Sequence, residues 1–287
     1  TDTELDEATY EAAEKQYLDN NTAKAIDLFN GYIARFSAGK YLFKAHFYLA
    51  ELYYKSELSE NALPHYTFVC EQSTNEFTEP ALLKASEITL ASQTFETALP
   101  LLSRLELESK SPQNRLYAQS NLMKTYFQLE DYDAAIRYSE RILDNSKTDT
   151  YIKSDAHIII ARAAMKTNNE TKARAAYAQV KTIATGEMGA EAQYFEAYFK
   201  YLDGTHETSN ESVQELIKKF SSYKYYASKG LIIMAKNFLA LDDVFQATYI
   251  LENVIQNFNE FPEITAEAQV ELDRIKTEAA KTNASIE

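Results

Sequence analysis

Cysteine is almost missing from this chain: Cys70 is the single one in 287 residues. No disulfide can form within the chain, and no cysteine-based metal cluster is available. With Phe68 and Val69 beside it, Cys70 reads as a buried structural thiol rather than a reactive one. Glycine and proline are also scarce, at 6 and 5 residues, too few for a fold built from many tight turns. Tryptophan is absent, which counts against a sugar-stacking platform. Basic residues are in deficit, 29 Lys and Arg against 43 Asp and Glu, for a net charge of -14. An acidic surface repels phosphate backbones and anionic lipid, so neither nucleic acid nor a membrane surface is the expected ligand. No run approaches the roughly 18 apolar residues of a membrane span; HIIIARAAM, 157 to 165, is the most apolar stretch. The chain opens at Thr1 with neither Met nor signal peptide, so a trimmed or mature chain is expected, its targeting segment removed.

What is abundant are the good helix formers, Ala, Leu, Glu, Lys and Gln, in a chain that is 45% apolar. That predicts an all-helical protein with ample material for a core.

The stretch LMKTYFQLEDYDAAIRYSERIL, 122 to 143, has helical periodicity, a break at EDYD, and a second helical run. Ala135 opens that second helix, where a small side chain lets two antiparallel helices approach closely. The device recurs at Ala25, Ala62, Ala98, Ala135, Ala173, Ser212 and Ala247, at spacings of 37, 36, 37, 38, 39 and 35 residues. Twelve residues before the anchor stand Ala13, Ala50, Ser86, Met123, Ala161 and Ala235. The sixth pair fails this test, because Lys200 falls twelve before Ser212, which predicts a longer turn there. Four after the anchor come Phe29, Tyr66, Leu102, Tyr177, Leu216 and Leu251, with Ser139 in the fourth pair.

This pattern resembles the tetratricopeptide repeat, whose period is about 34 residues, across essentially the whole chain. The resemblance implies an all-α fold: a right-handed α-solenoid of about seven such helix pairs plus a C-terminal capping helix. The predicted pairs run over 5–36, 41–72, 78–108, 112–145, 150–184, 188–220 and 224–258, with the cap over 262–281. No Gly/Ser- or Pro-rich linker divides the chain, so one solenoid over 1–287 is expected. The N-terminus lacks a comparable cap, and further repeats are expected to precede it. Pro80, Pro112 and Pro262 mark the starts of first helices, and Pro64 and Pro100 the opening turn of second helices. Asp131, Asn169 and Asp242 are the expected caps of second helices.

The segments RFSAGKYLFKAHFYLAELYYKSELSENA, 35 to 62, and KFSSYKYYASKGLIIMAKNFLALDDVFQATYILENVIQNF, 219 to 258, are similar to the repeats of bacterial cell-envelope proteins. These are the outer-membrane-assembly lipoprotein and the Tol-Pal-associated periplasmic protein. The arrangement also resembles the C-terminal part of large tetratricopeptide proteins of Bacteroidetes. The resemblance implies a periplasmic or outer-membrane-associated scaffold, and leaves a cytoplasmic location open.

No HExxH, GxSxG, P-loop or GxGxxG occurs, so no enzyme, metal or cofactor is expected. His46 and His157 share a repeat position three pairs apart, too far to share a metal, and the histidines read as helix-packing residues. What remains is surface. In the repeat family the first helix of each pair lines the concave face, which implies Phe47, Glu51 and Tyr54 as partner-binding candidates in pair two. Ser120, Lys124 and Phe127 follow in pair four, and Ile158, Arg162 and Met165 in pair five. In EAQYFEAYFKYL, 191 to 202, Tyr194, Tyr198 and Tyr201 share one face, while Phe195, Phe199 and Leu202 make a second stripe. The tyrosine stripe reads either as core between neighbours or as a binding groove that YKYY, 223 to 226, would extend. The function expected is a non-catalytic scaffold that binds a protein or peptide segment. The alternative is a glycan-binding module of an outer-membrane sugar-uptake system.

Overall fold

The computed structural model describes residues 2–284, with side chains for 3–281; among them every regular element is helical. Thr1 and 285–287 lie outside the described residues. Two compact units divide the chain, Thr1–Tyr138 and Ser139–Glu287, and the division falls within a helix.

In the first unit, α1 (Asp2–Leu18) pairs with α2 (Thr22–Arg35), α3 (Leu42–Lys55) with α4 (Ser59–Glu71), and α5 (Thr78–Ala91) with α6 (Phe95–Glu108). Next come α7 (Pro112–Gln128) and α8 (Tyr132–Asp144), the helix that straddles the division. In the second unit, α9 (Thr150–Lys166) pairs with α10 (Glu170–Ile183), α11 (Gly186–Leu202) with α12 (His206–Lys219), and α13 (Lys224–Ala240) with α14 (Val244–Asn257). Helix α15 (Pro262–Ala284) closes the described chain. From α1 to α7, and again from α9 to α15, each helix packs on the next.

The anchors explain why the pairs form. Ala25, Ala62, Ala98, Ala135, Ala173 and Ala247 are all fully buried, as are Ala13, Ala50, Ser86, Met123 and Ala161 twelve residues earlier. Small side chains at the crossing allow close approach, and larger ones four residues on, such as Phe29, Tyr66 and Leu102, fill the core beside it.

The sixth pair corrects the expected register. Its anchor is Ser209, not Ser212. The Ser209 hydroxyl donates to the carbonyl of Ala197, twelve residues earlier, at 2.7 Å, and both residues are fully buried. Val213, four after Ser209, is fully buried in the core. Ser212 instead bonds the Lys200 ammonium at 2.8 Å. With Ser209 in place the spacings are 37, 36, 37, 38, 36 and 38 residues, and the turn is no longer than the others.

The turns confirm that register. One residue lies in the left-handed region five positions before each anchor: Asn20, Glu57, Gln93, Glu130, Asn168, Gly204 and Asp242. The next N–H then reaches back five residues, as in Asn21 to Gln16 (2.9 Å), Asp131 to Tyr126 (2.9 Å) and Thr205 to Lys200 (3.0 Å). This is the Schellman closure, which satisfies a carbonyl that the helix end would leave bare. It also moves one expected cap: Asp242 is the left-handed residue, and Asp243 caps α14 by accepting from the Gln246 N–H at 3.0 Å. Asp131 and Asn169 do cap, accepting from the N–H of Ala134 at 3.0 Å and of Lys172 at 3.1 Å. Pro64 and Pro100 lie inside α4 and α6 rather than in the opening turn. Both are exposed, so water can serve the carbonyls that the missing N–H groups release.

Candidate functional site

In the second unit the first-helix face is organised around one carboxylate. Glu191 on α11 is 3% exposed. Arg162 of α9 donates to it from Nε at 3.0 Å and from Nη2 at 2.5 Å. The hydroxyls of Tyr177 on α10 and Tyr226 on α13 each donate at 2.8 Å. Four helices therefore meet at one side chain. Burial alone would raise the Glu191 carboxyl; the Arg162 bonds, its charge and the two phenols outweigh that and hold it below the usual carboxylate range. The same bonds keep the Arg162 guanidinium firmly charged, and burial pushes both phenols up.

Aromatic rings extend from this centre. Tyr194 lies 6.2 Å from Tyr226 and 6.3 Å from Tyr198, centroid to centroid. The Lys229 ammonium sits over the rings of Tyr194 and Tyr225, at 4.6 and 5.5 Å, and burial lowers its pKa. This splits the tyrosine stripe: Tyr194 is buried in the core, whereas Tyr198 and Tyr201 remain half-buried. Met165 and Tyr198 come together, lining a cavity of about 170 Å³ with Phe199 and Leu202. Ile158 is a correction. At 3% exposed it belongs to the core, where β-branched bulk packs, and has no surface to offer a partner. In the second stripe Phe199 is buried, Phe195 stacks on Tyr177 at 4.1 Å, and Leu202 is exposed.

The opposite side of α11 borders a cavity of about 350 Å³ against α10, rimmed by Arg174, Lys181 and Lys200. Each cation already has a carboxylate: Arg174 has Glu170 and Asp203, and both lysines share Glu196.

In the first unit, Phe47, Glu51 and Tyr54 are all half-buried on α3. Glu51 accepts from the Tyr66 hydroxyl at 2.5 Å, Phe47 lies 4.7 Å from Phe77, and the Lys84 ammonium lies 4.7 Å above Tyr54. On α7, Lys124 is exposed, Ser120 is half-buried, and half-buried Phe127 meets Tyr132 edge-on at 5.5 Å.

Two arrangements escaped the sequence. The Glu191 centre joins residues 29 and 35 positions apart; its only local signal was a carboxylate opening an aromatic run. His46 pairs with His65, Nδ1 to Nδ1 at 2.8 Å, and stacks on Phe68 at 3.8 Å. The two imidazoles come from the two helices of one pair, α3 and α4, a relation that spacing between repeats does not reveal. Burial lowers both, His46 to about 4. Cys70 is buried, which pushes its thiol up to about 12.

No protein-family model and no curated protein matches the chain. Solved structures do. The C-terminal part of a tetratricopeptide-repeat protein from Cytophaga hutchinsonii is similar at a TM-score of 0.58 and 16% identity, over 86% of this chain and 94% of that one. The fold is the tetratricopeptide-repeat (TPR) fold. A second TPR structure is the sensor-bearing signal transduction ATPase with numerous domains from Pyrococcus horikoshii. It matches at a TM-score of 0.51 and 16% identity, over 95% of this chain and 46% of that one. As a TPR chain, the protein has small residues at its helix crossings for packing, and no helix among the described residues is long and apolar enough to cross a membrane.

Proposed function

We propose that this protein is a non-catalytic scaffold that holds a segment of a partner protein on the concave, first-helix face of its repeats. The observation that carries the reading is the surface around Tyr198 and Tyr201. These rings are half-buried. Tyr198 lies beside Tyr194, which carries the Lys229 ammonium and packs near Tyr226, a ligand of the Glu191 carboxylate that joins four helices. Such rings offer apolar area and a hydroxyl at low entropic cost, as binding hot spots do. The resemblance of 35 to 62 and 219 to 258 to envelope repeats supports a bacterial cell-envelope assembly as the setting.

Photo-crosslinking from position 198 in the source cells, read by mass spectrometry, tests this. A dominant protein adduct that Tyr201→Ala weakens is expected. In parallel, Tyr198→Ala should lose partner binding while its melting curve moves little. A loss of about 3–5 kcal/mol, the cost of emptying a fully buried aromatic site, would make Tyr198 a core residue and end the proposal. Glycan-array binding that Tyr198→Ala abolishes would replace the peptide partner with a sugar.

A further inference from the structure

The solvent face of α14 differs from that of every other second helix. Phe245 is 77% exposed and Tyr249 is 61% exposed, with Val244 and Leu241 beside them at 46% and 40%. Phe245 and Tyr249 fall at i, i+4 spacing on one side, opposite the buried Ala247, Leu251 and Val254, and Val244 borders them at the start of the helix. The repeats supply an internal control. At the position of Phe245, two before the anchor, the other six pairs carry Ala23, Glu60, Glu96, Asp133, Thr171 and Glu207. At the position of Tyr249 they carry Asp27, Pro64, Pro100, Arg137, Ala175 and Glu211. All twelve are exposed and none is a large apolar residue. The fold therefore does not require bulk at these positions, and only the seventh pair exposes it.

The charges around this stripe select what covers it. Between Leu241 and Phe258 there is no Lys or Arg, while Asp242, Asp243 and Glu252 are present. A second copy placed on the stripe would bring acid against acid, and an anionic lipid surface would be repelled as well. We propose that this face docks an amphipathic helix of a partner, apolar on one side and flanked by Lys or Arg. The apolar side would cover Phe245 and Tyr249 in the helix-against-groove mode. The basic flanks would meet Asp242, Asp243 and Glu252, and lie over the two rings.

A synthetic helix of roughly 18 residues, five turns, with leucines on one side and lysines on the other, serves as the probe. Controls are the same peptide with glutamate for lysine, and one of scrambled order. The variant Phe245→Thr/Tyr249→Ala installs the fifth pair's residues, Thr171 and Ala175, and leaves the charge unchanged. By fluorescence anisotropy, the wild-type chain should bind the Leu/Lys helix at least about tenfold more tightly than either control, a difference of about 1.4 kcal/mol. Added salt should weaken that binding. The double variant should lose it by a similar factor with an unaltered melting curve, and Tyr198→Ala should leave it untouched, which separates this face from the concave one. Equal binding by the double variant, or no preference for the Leu/Lys helix, would overturn the proposal. So would a concentration-dependent dimer, or adhesion to phosphatidylcholine vesicles, that the double variant abolishes.

Discussion

Replacing Glu191 tests how the second unit is held together. In Glu191→Ala, Arg162 loses its counter-charge, and the Tyr177 hydroxyl, on a residue 3% exposed, loses its acceptor. Removing one partner of a fully buried pair costs about 3–5 kcal/mol. The Arg162 side chain is 40% exposed, so water recovers part of that and a loss of about 2–4 kcal/mol is expected, much of it from the phenol donors left unmatched. Glu191→Gln keeps the shape and one good acceptor, and should cost about 1–3 kcal/mol, the penalty for buried donors left partly unmatched. Adding Arg162→Met to Glu191→Ala should recover a small part of the loss, since a cation that water only partly reaches is then gone. Urea denaturation near neutral pH, followed by circular dichroism, measures all three. The acid limb gives a second readout. The carboxyl sits lower in the folded chain than in the unfolded one, where it lies near about 4.3. Its contribution is therefore complete above that value and is lost as pH falls through the folded value. Glu191→Gln should lack that part of the acid slope. A loss below about 1 kcal/mol for Glu191→Ala, the scale of an exposed pair, would refute the claim that this carboxylate holds the helices.

Ala135→Leu should destabilise by about 1–3 kcal/mol through overpacking, because Ala135 is fully buried at its crossing; an unchanged melting curve would count against the register. Gln93→Gly should stabilise by about 0.5 kcal/mol, because relief of the left-handed backbone at φ 57 outweighs the added freedom of the unfolded chain. The half-buried imidazoles of His46 and His65 bind fewer protons folded than unfolded. Stability should therefore be complete above about 6.5 and decline as pH falls toward the His46 value of about 4. Melting across that range should show a shallower decline in His46→Phe.

The architecture was legible because its cause is local and repeated. A small residue at the crossing, a partner twelve before and bulk four after set each pair, and the predicted boundaries fall close to the helix ends. The sixth pair was misplaced because two serines, Ser209 and Ser212, satisfy the same size rule. The failed partner at Lys200 was the available clue, and Gly204 marked the true turn. Pro64 and Pro100 were set a few residues too early because exposed proline is tolerated deeper in a helix than the opening-turn rule allows. The candidate surfaces were less legible. Whether Ile158, Tyr194 or Tyr198 faces solvent depends on neighbours from other pairs, and spacing within one helix cannot reveal them. Glu191 and Arg162 have no signature at all until the helices are stacked.

The chain contains two kinds of joint. Within a pair, the left-handed residue, the back-reaching N–H and the buried anchor keep one fixed count from the first helix to the second. From one anchor to the next pair's crossing, the end of the second helix, the connection and the start of the next first helix vary, and all differences in repeat spacing, from 36 to 38 residues, arise there. Length can therefore change between pairs without disturbing a crossing. One extra residue at 168 should unseat Ala173, whereas the same insertion at 146 should pass almost unnoticed. The helix pair is thus the quantum in which this protein can be lengthened, shortened or spliced.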